Sequence, residues 1–132
     1  MHKTQSNMQK LYFTKSAVML HNKVALEVYM AKTLIAFFSH AQENYNVGFI
    51  KEGNTFKVAK ILKEVLQKKG VDTHLFEIMP KEEYPADYNE CIAQAKKELS
   101  SKARPAIKED WDISGYDTIY LGYPNWWGDM PM

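Results

Sequence analysis

Asp117-Thr118-Ile119-Tyr120-Leu121-Gly122-Tyr123-Pro124-Asn125-Trp126-Trp127-Gly128-Asp129-Met130-Pro131 runs from an apolar segment into an aromatic loop, and its reading decides the fold. The run Thr118–Leu121, closed by Gly122, has the form of a buried strand. It is apolar on both faces, the composition of a strand built for a sheet interior. Tyr-Pro-Asn-Trp-Trp-Gly follows at once. In open α/β sheets, ligands bind outside the carboxyl ends of parallel strands. Two large adjacent aromatics in such a loop suit a flat ligand.

Upstream, Thr33-Leu34-Ile35-Ala36-Phe37-Phe38 is apolar without alternation. That predicts a strand of a parallel sheet covered on both faces. Ser39 to Glu52 reads as polar and irregular. Gly53-Asn54-Thr55 then opens a helix, with Asn54 or Thr55 as the expected N-cap. Val58, Ala59, Ile61, Leu62, Val65 and Leu66 recur at helical spacing, and Gly70 supplies a left-handed stop. Val71 to Ile78 reads as a second strand. Asp87 caps a second helix whose apolar face carries Tyr88, Cys91, Ile92, Ala95 and Leu99. The order βαβαβ predicts an α/β fold: an open parallel sheet with helices on both faces.

Three features meet at one end of that sheet. The first strand ends at Ser39. The Gly53-Asn54-Thr55 turn offers free backbone N–H groups and the positive end of a helix, which bind phosphate without a basic side chain. The Trp-Trp loop leaves a neighbouring strand. Phosphate at one loop and a flat ring at the other describe a mononucleotide with an extended aromatic system. FMN fits better than a purine nucleotide, because no Gly-Lys-Thr phosphate pattern is present. The candidate cofactor-binding residues are Ser39, His40, Gly53, Asn54, Thr55, Pro124, Asn125, Trp126, Trp127 and Gly128. For Trp126 and Trp127 the competing reading is core packing; for His40 it is a solvated loop imidazole. Asn44 and Tyr45 are read as closing their loop, not as covering the phosphate. Asp129 is a candidate for lowering the potential of the ring. Cys91 is read as a small apolar residue. No catalytic acid–base pair and no metal-spaced cluster stands out.

These residues resemble the flavodoxin family, in particular members with a long phosphate loop and a Tyr-Pro-x-Trp-Trp-Gly loop. The resemblance covers about residues 32–132 and rests on Lys32–Ser39, Gly53-Asn54-Thr55, Tyr84-Pro85-Ala86-Asp87-Tyr88, Ala103-Arg104-Pro105 and Tyr116–Pro131. Ser39 matches the first residue of the family's compact phosphate loop and Gly53-Asn54-Thr55 its end. His40–Glu52 is then an insertion. The resemblance implies sheet order 2-1-3-4-5, of which only the first three strands, 2-1-3, lie in this chain. Two strands, further helices and a third flavin loop are expected to be missing. It implies an FMN-dependent electron-transfer protein. The alternatives are an FMN-dependent NAD(P)H oxidoreductase acting on a quinone-like acceptor, or an inactive truncated fragment. The expected partners are redox proteins or a small acceptor. The truncated chain is expected to bind FMN weakly or not at all.

Bulk properties bound the rest. The 132 residues, 45% apolar and 25% charged, make at most one domain of ordinary globular composition. A net charge of +1 gives no reason to expect nucleic acid as a partner. One cysteine excludes an internal disulfide and is compatible with a cytoplasmic location. No run approaches the length of a membrane span, so no membrane is expected. The charge is uneven. The first 31 residues hold four lysines and one acid, leaving 13 basic and 15 acidic residues in the remaining 101. Residues 1–31 read as an irregular N-terminal extension. Met30 has the look of a second start, with residues 1–29 as leader sequence translated in frame; the alternative is a basic arm. The Thr118–Leu121 strand has one edge without an evident partner, so self-association through it is expected.

Overall fold

The computed structural model describes residues 31–132, and the readings of residues 1–29 lie outside it. Lys32–Met132 form one compact unit. Its elements are β1 (Lys32–Phe37), β2 (Gln42–Asn44), β3 (Gly48–Ile50), α1 (Asn54–Lys68), β4 (Asp72–Glu77), α2 (Tyr88–Ser101) and β5 (Thr118–Gly122). β1 is central in a three-stranded sheet of order β4-β1-β5, and both pairings are parallel. This is the expected 2-1-3 arrangement of an open α/β fold. The helical crossover from β1 to β4 is what a parallel pair requires.

Burial follows from that centrality. Leu34, Ile35, Ala36 and Phe37 are all buried. Successive strand side chains point to opposite faces. Ile35 and Phe37 form one core with Ala59, Phe56, Leu62 and Leu66 of α1 and Leu75 of β4. The Phe37 and Phe56 rings stack at 5.2 Å. Phe38 turns the other way, into a second core with Tyr84, Trp126 and Cys91 and Ala95 of α2. The helices thus serve opposite faces. At the start of β1 a two-bond clamp fixes the register with β5. The Lys32 N–H donates to Asp117 Oδ2 at 2.8 Å, and the Asp117 N–H donates to the Lys32 carbonyl at 2.9 Å.

Three expectations need correction. Ser39–Glu52 is not irregular throughout, since β2 and β3 form an antiparallel hairpin within it. The N-cap of α1 is Gly53; Asn54 and Thr55 lie inside the helix. Only part of the expected α1 face is used, because Val58, Ile61 and Val65 are exposed and the helix meets the sheet through Ala59, Leu62 and Leu66. As the 2-1-3 order expects, β5 lies at an edge among the described strands, where Ile119, Tyr120 and Leu121 are exposed. The helix stops behave as read. Gly70, at φ +78, lets its own N–H reach the Gln67 carbonyl while the Val71 N–H reaches that of Leu66. This double closure satisfies carbonyls that the last turn leaves open. Asp87 caps α2 through the Glu90 N–H at 2.9 Å.

Candidate functional site

The carboxyl ends of β1 and β5 and the N-terminus of α1 come together at one rim of the sheet. The Phe38 N–H donates to the Gly122 carbonyl at 2.9 Å, which carries the β1–β5 ladder one step into the loops. Ser39 then crosses back to α1. Its hydroxyl accepts from the Phe56 N–H at 3.1 Å and caps the helix from outside it. This crossing requires glycine at position 53. A Cβ there would stand 2.1 Å from Ser39 Oγ and 2.8 Å from the His40 carbonyl oxygen. The Asn54 and Thr55 N–H groups meet no acceptor among the described residues. They are the first-turn donors that a helix leaves open. The Thr55 methyl lies against the end of β5, 3.4 Å from where a Gly122 Cβ would be.

The aromatic loop is a tight turn. Trp126 and Asp129 exchange backbone hydrogen bonds of 2.9 and 3.2 Å, and Asn125 Oδ1 accepts from the Gly128 N–H at 2.8 Å. Between them Trp127 has φ +53 and Gly128 φ +83. Positive φ at both central positions is the type I′ turn, easy for glycine and strained for a bulky residue such as tryptophan. Strain of this kind collects at ligand sites. The two indoles diverge. Trp126 points inward, edge-on to Phe38, Tyr84 and His40 at 5.7, 5.2 and 6.1 Å. Trp127 is 52% exposed, with the Lys96 ammonium 5.9 Å from its ring centre.

The hairpin builds a further wall. Glu43 Oε2 accepts from the Tyr88 N–H at 2.8 Å, at the positive end of α2. Tyr45 stacks on Tyr88 at 6.1 Å. Asn44 donates to the carbonyls of His40, Ala41 and Gln42, so it closes its loop as read. Between hairpin, α2 and aromatic loop lies a cleft of about 500 Å³. That is within the usual range for small-ligand sites.

Of the ten candidate residues, His40, Asn54, Pro124, Asn125, Trp126 and Trp127 line this cleft. Ser39, Gly53, Thr55 and Gly128 do not. Ser39 is committed to the α1 cap, Gly53 is buried beneath it, and Gly128 shapes the turn. Glu43, Tyr45 and Val47 of the hairpin also line the cleft, as do Tyr88, Cys91 and Ile92 of α2; none of these was singled out as a ligand residue. Asn46 and Gly48, both at positive φ, are the turn signals from which the hairpin could have been read.

The floor of the cleft carries a neutral pair. His40 Nε2 lies 3.8 Å from Cys91 Sγ. Burial lowers the imidazole pKa below its ordinary value. Burial, and then Glu98, raises that of the thiol. The shifts oppose a thiolate–imidazolium pair, so Cys91 is not set up as a nucleophile. It is buried, as its small apolar reading expects. Asp129 turns its carboxylate to the Met130 N–H. Among the described residues, no helix is long and apolar enough to cross a membrane.

No curated protein matches the chain. The sequence model of the flavodoxin family matches residues 32–132, the same span that forms the sheet, both helices and the aromatic loop. The chain belongs to the flavodoxin family.

Proposed function

We propose that this chain binds FMN and takes part in electron transfer. The carrying observation is a juxtaposition. Open first-turn N–H groups of α1 stand at the same rim as an exposed indole held in a strained turn. The donor set fits the group. The N–H groups of Asn54 and Thr55, with the positive end of α1, suit a phosphate. Trp127 offers a flat face for the ring, and Asn125 and His40 offer polar edges. A bound flavin would supply the one- and two-electron chemistry. The protein would grip the phosphate, stack the ring and limit its contact with water. The half-buried aromatic surroundings disfavour added charge on the ring. No side chain need act as acid or base for transfer between partner proteins.

A second reading, an FMN-dependent oxidoreductase for a quinone-like acceptor, draws on the hairpin. Tyr45 and Val47 give the cleft a wall that a carrier presenting its flavin edge to another protein does not need. Turnover of NAD(P)H with a soluble quinone separates the two readings.

Titration of the chain into FMN and into riboflavin tests the shared premise. The expected result is weak but saturable quenching of flavin fluorescence, with FMN held at least about tenfold more tightly than riboflavin because its phosphate adds charge-assisted hydrogen bonds. Equal affinity for the two flavins, or no saturable quenching, overturns the assignment.

A further inference from the structure

One buried group has no part in the ligand chemistry of the cleft. Tyr84 is 8% exposed and lies in the core between Phe38, Trp126 and α2. Its hydroxyl donates to Glu98 Oε2 at 2.5 Å, at the short end for a hydroxyl on a carboxylate. Gln94 Nε2 donates to the other carboxylate oxygen at 3.0 Å and holds it in place. Burial, then the bond to Glu98, raises the phenol pKa far above its ordinary range. Tyr84 is therefore a neutral phenol with a dedicated proton acceptor. It is also connected. Its ring is 5.2 Å from that of Trp126, which is 6.4 Å from that of Trp127 at the mouth of the cleft. Three rings in series join solvent to the buried phenol.

We propose that Tyr84 and Glu98 form a proton-coupled one-electron donor site, fed through Trp126 and Trp127 by an oxidant at the cleft mouth. The oxidant class is a one-electron acceptor strong enough to oxidise indole, represented by a photogenerated ruthenium(III) polypyridyl complex. It takes one electron from Trp127 and is reduced to ruthenium(II). Trp126 refills Trp127. Tyr84 then gives an electron to Trp126 and its hydroxyl proton to Glu98 Oε2. The O–H bond of Tyr84 breaks and an O–H bond forms on Glu98. The products are a neutral tyrosyl radical and a neutral carboxylic acid, so charge and atoms balance. The acceptor is essential. An oxidised phenol that keeps its proton is a very strong acid, so electron loss alone is uphill. The 2.5 Å bond gives the proton a direct destination.

The test uses the full chain with no flavin added, so its outcome is independent of the FMN assignment. A flash–quench experiment with the ruthenium complex, read by transient absorption and electron paramagnetic resonance, should show an indole radical decaying into a tyrosyl radical. The decay should slow in D₂O. In Tyr84→Phe the tyrosyl yield should fall by about tenfold and the indole radical persist. Glu98→Gln keeps the phenol but removes the charged acceptor; tyrosyl formation should slow by about tenfold. This second variant carries the test if Tyr84→Phe fails to fold. A tyrosyl yield undiminished in Tyr84→Phe overturns the proposal, as do kinetics in Glu98→Gln that match the parent or the absence of any tyrosyl radical in the parent.

Discussion

Trp126 and Trp127 are adjacent in sequence and opposite in setting, because the left-handed backbone at Trp127 and Gly128 turns one indole inward and the other out. Trp126 packs against the core and also lines the cleft, while Trp127 leaves its ring exposed beside it. Thr55 has a comparable double position, with its methyl against the end of β5 and its N–H open at the start of α1. Under the FMN assignment, Thr55→Ala should weaken binding by roughly 10- to 150-fold if the hydroxyl also meets the phosphate, the effect of about 1.5–3 kcal/mol for a charged hydrogen bond. Unchanged affinity by fluorescence titration would remove the hydroxyl from the site. His40 makes a separate prediction about stability. Burial holds its folded pKa below 6.5, so the unfolded chain binds protons more readily than the folded one. Stability is then unaffected above the unfolded value and declines as pH falls through it toward the folded value. Between about pH 7.5 and about pH 5.5, the parent should lose more stability than His40→Gln, by less than about 1 kcal/mol because the ring is only half buried. Parallel melting shifts in the two proteins would show that the imidazole is not the responsible group.

Elements rich in apolar residues were legible; the one built from polar residues was not. Leu34 to Phe37 could only be a doubly covered strand, and Asp87 with its apolar partners could only open a helix. The β2–β3 hairpin escaped because Gln42-Glu43-Asn44 has no apolar alternation. Its order comes from elsewhere: the Glu43 bond to the Tyr88 N–H, the Tyr45–Tyr88 stack and the three carbonyl contacts of Asn44. No local pattern announces a carboxylate that docks on a helix 45 residues later. The cleft was half legible for the same reason, since the aromatic loop is a compact motif whereas α2 lends Tyr88, Cys91 and Ile92 from a face that reads simply as core. β5 is a third case: its residues have the composition of an interior strand, yet it stands at the edge of the expected 2-1-3 sheet and Leu121 is 56% exposed. Among the described strands only β1 pairs with it, so its outer backbone groups can template another chain. We expect the chain to self-associate through this strand, and Leu121→Lys to return it toward monomer, since a charge blunts a pairing edge. Light scattering across a dilution series is the check. A monomeric parent at high concentration would refute the expectation.

At the level of the whole molecule, the placing of β1 between two distant partners orders events in time. Thr33 of β1 pairs with Thr73 of β4, 40 residues on, and with Thr118 of β5, 85 residues on. Doubling a loop adds only about 0.6 kcal/mol of closure entropy, but the first closure is assisted by α1, which forms locally and brings its own apolar face. The β1–α1–β4 unit should therefore assemble ahead of β5. Trp126 reaches Phe38, Tyr84 and α2 only when β5 has docked. In refolding followed by stopped flow, far-UV ellipticity should then recover before the fluorescence change that reports burial of Trp126. A Trp126→Phe control identifies that signal among the tryptophans, and simultaneous recovery by both probes would contradict this order. The aromatic cleft is accordingly the youngest part of the native state: a chain caught partway to its fold already has its central strand and first helix, but nothing yet with which to hold a ring.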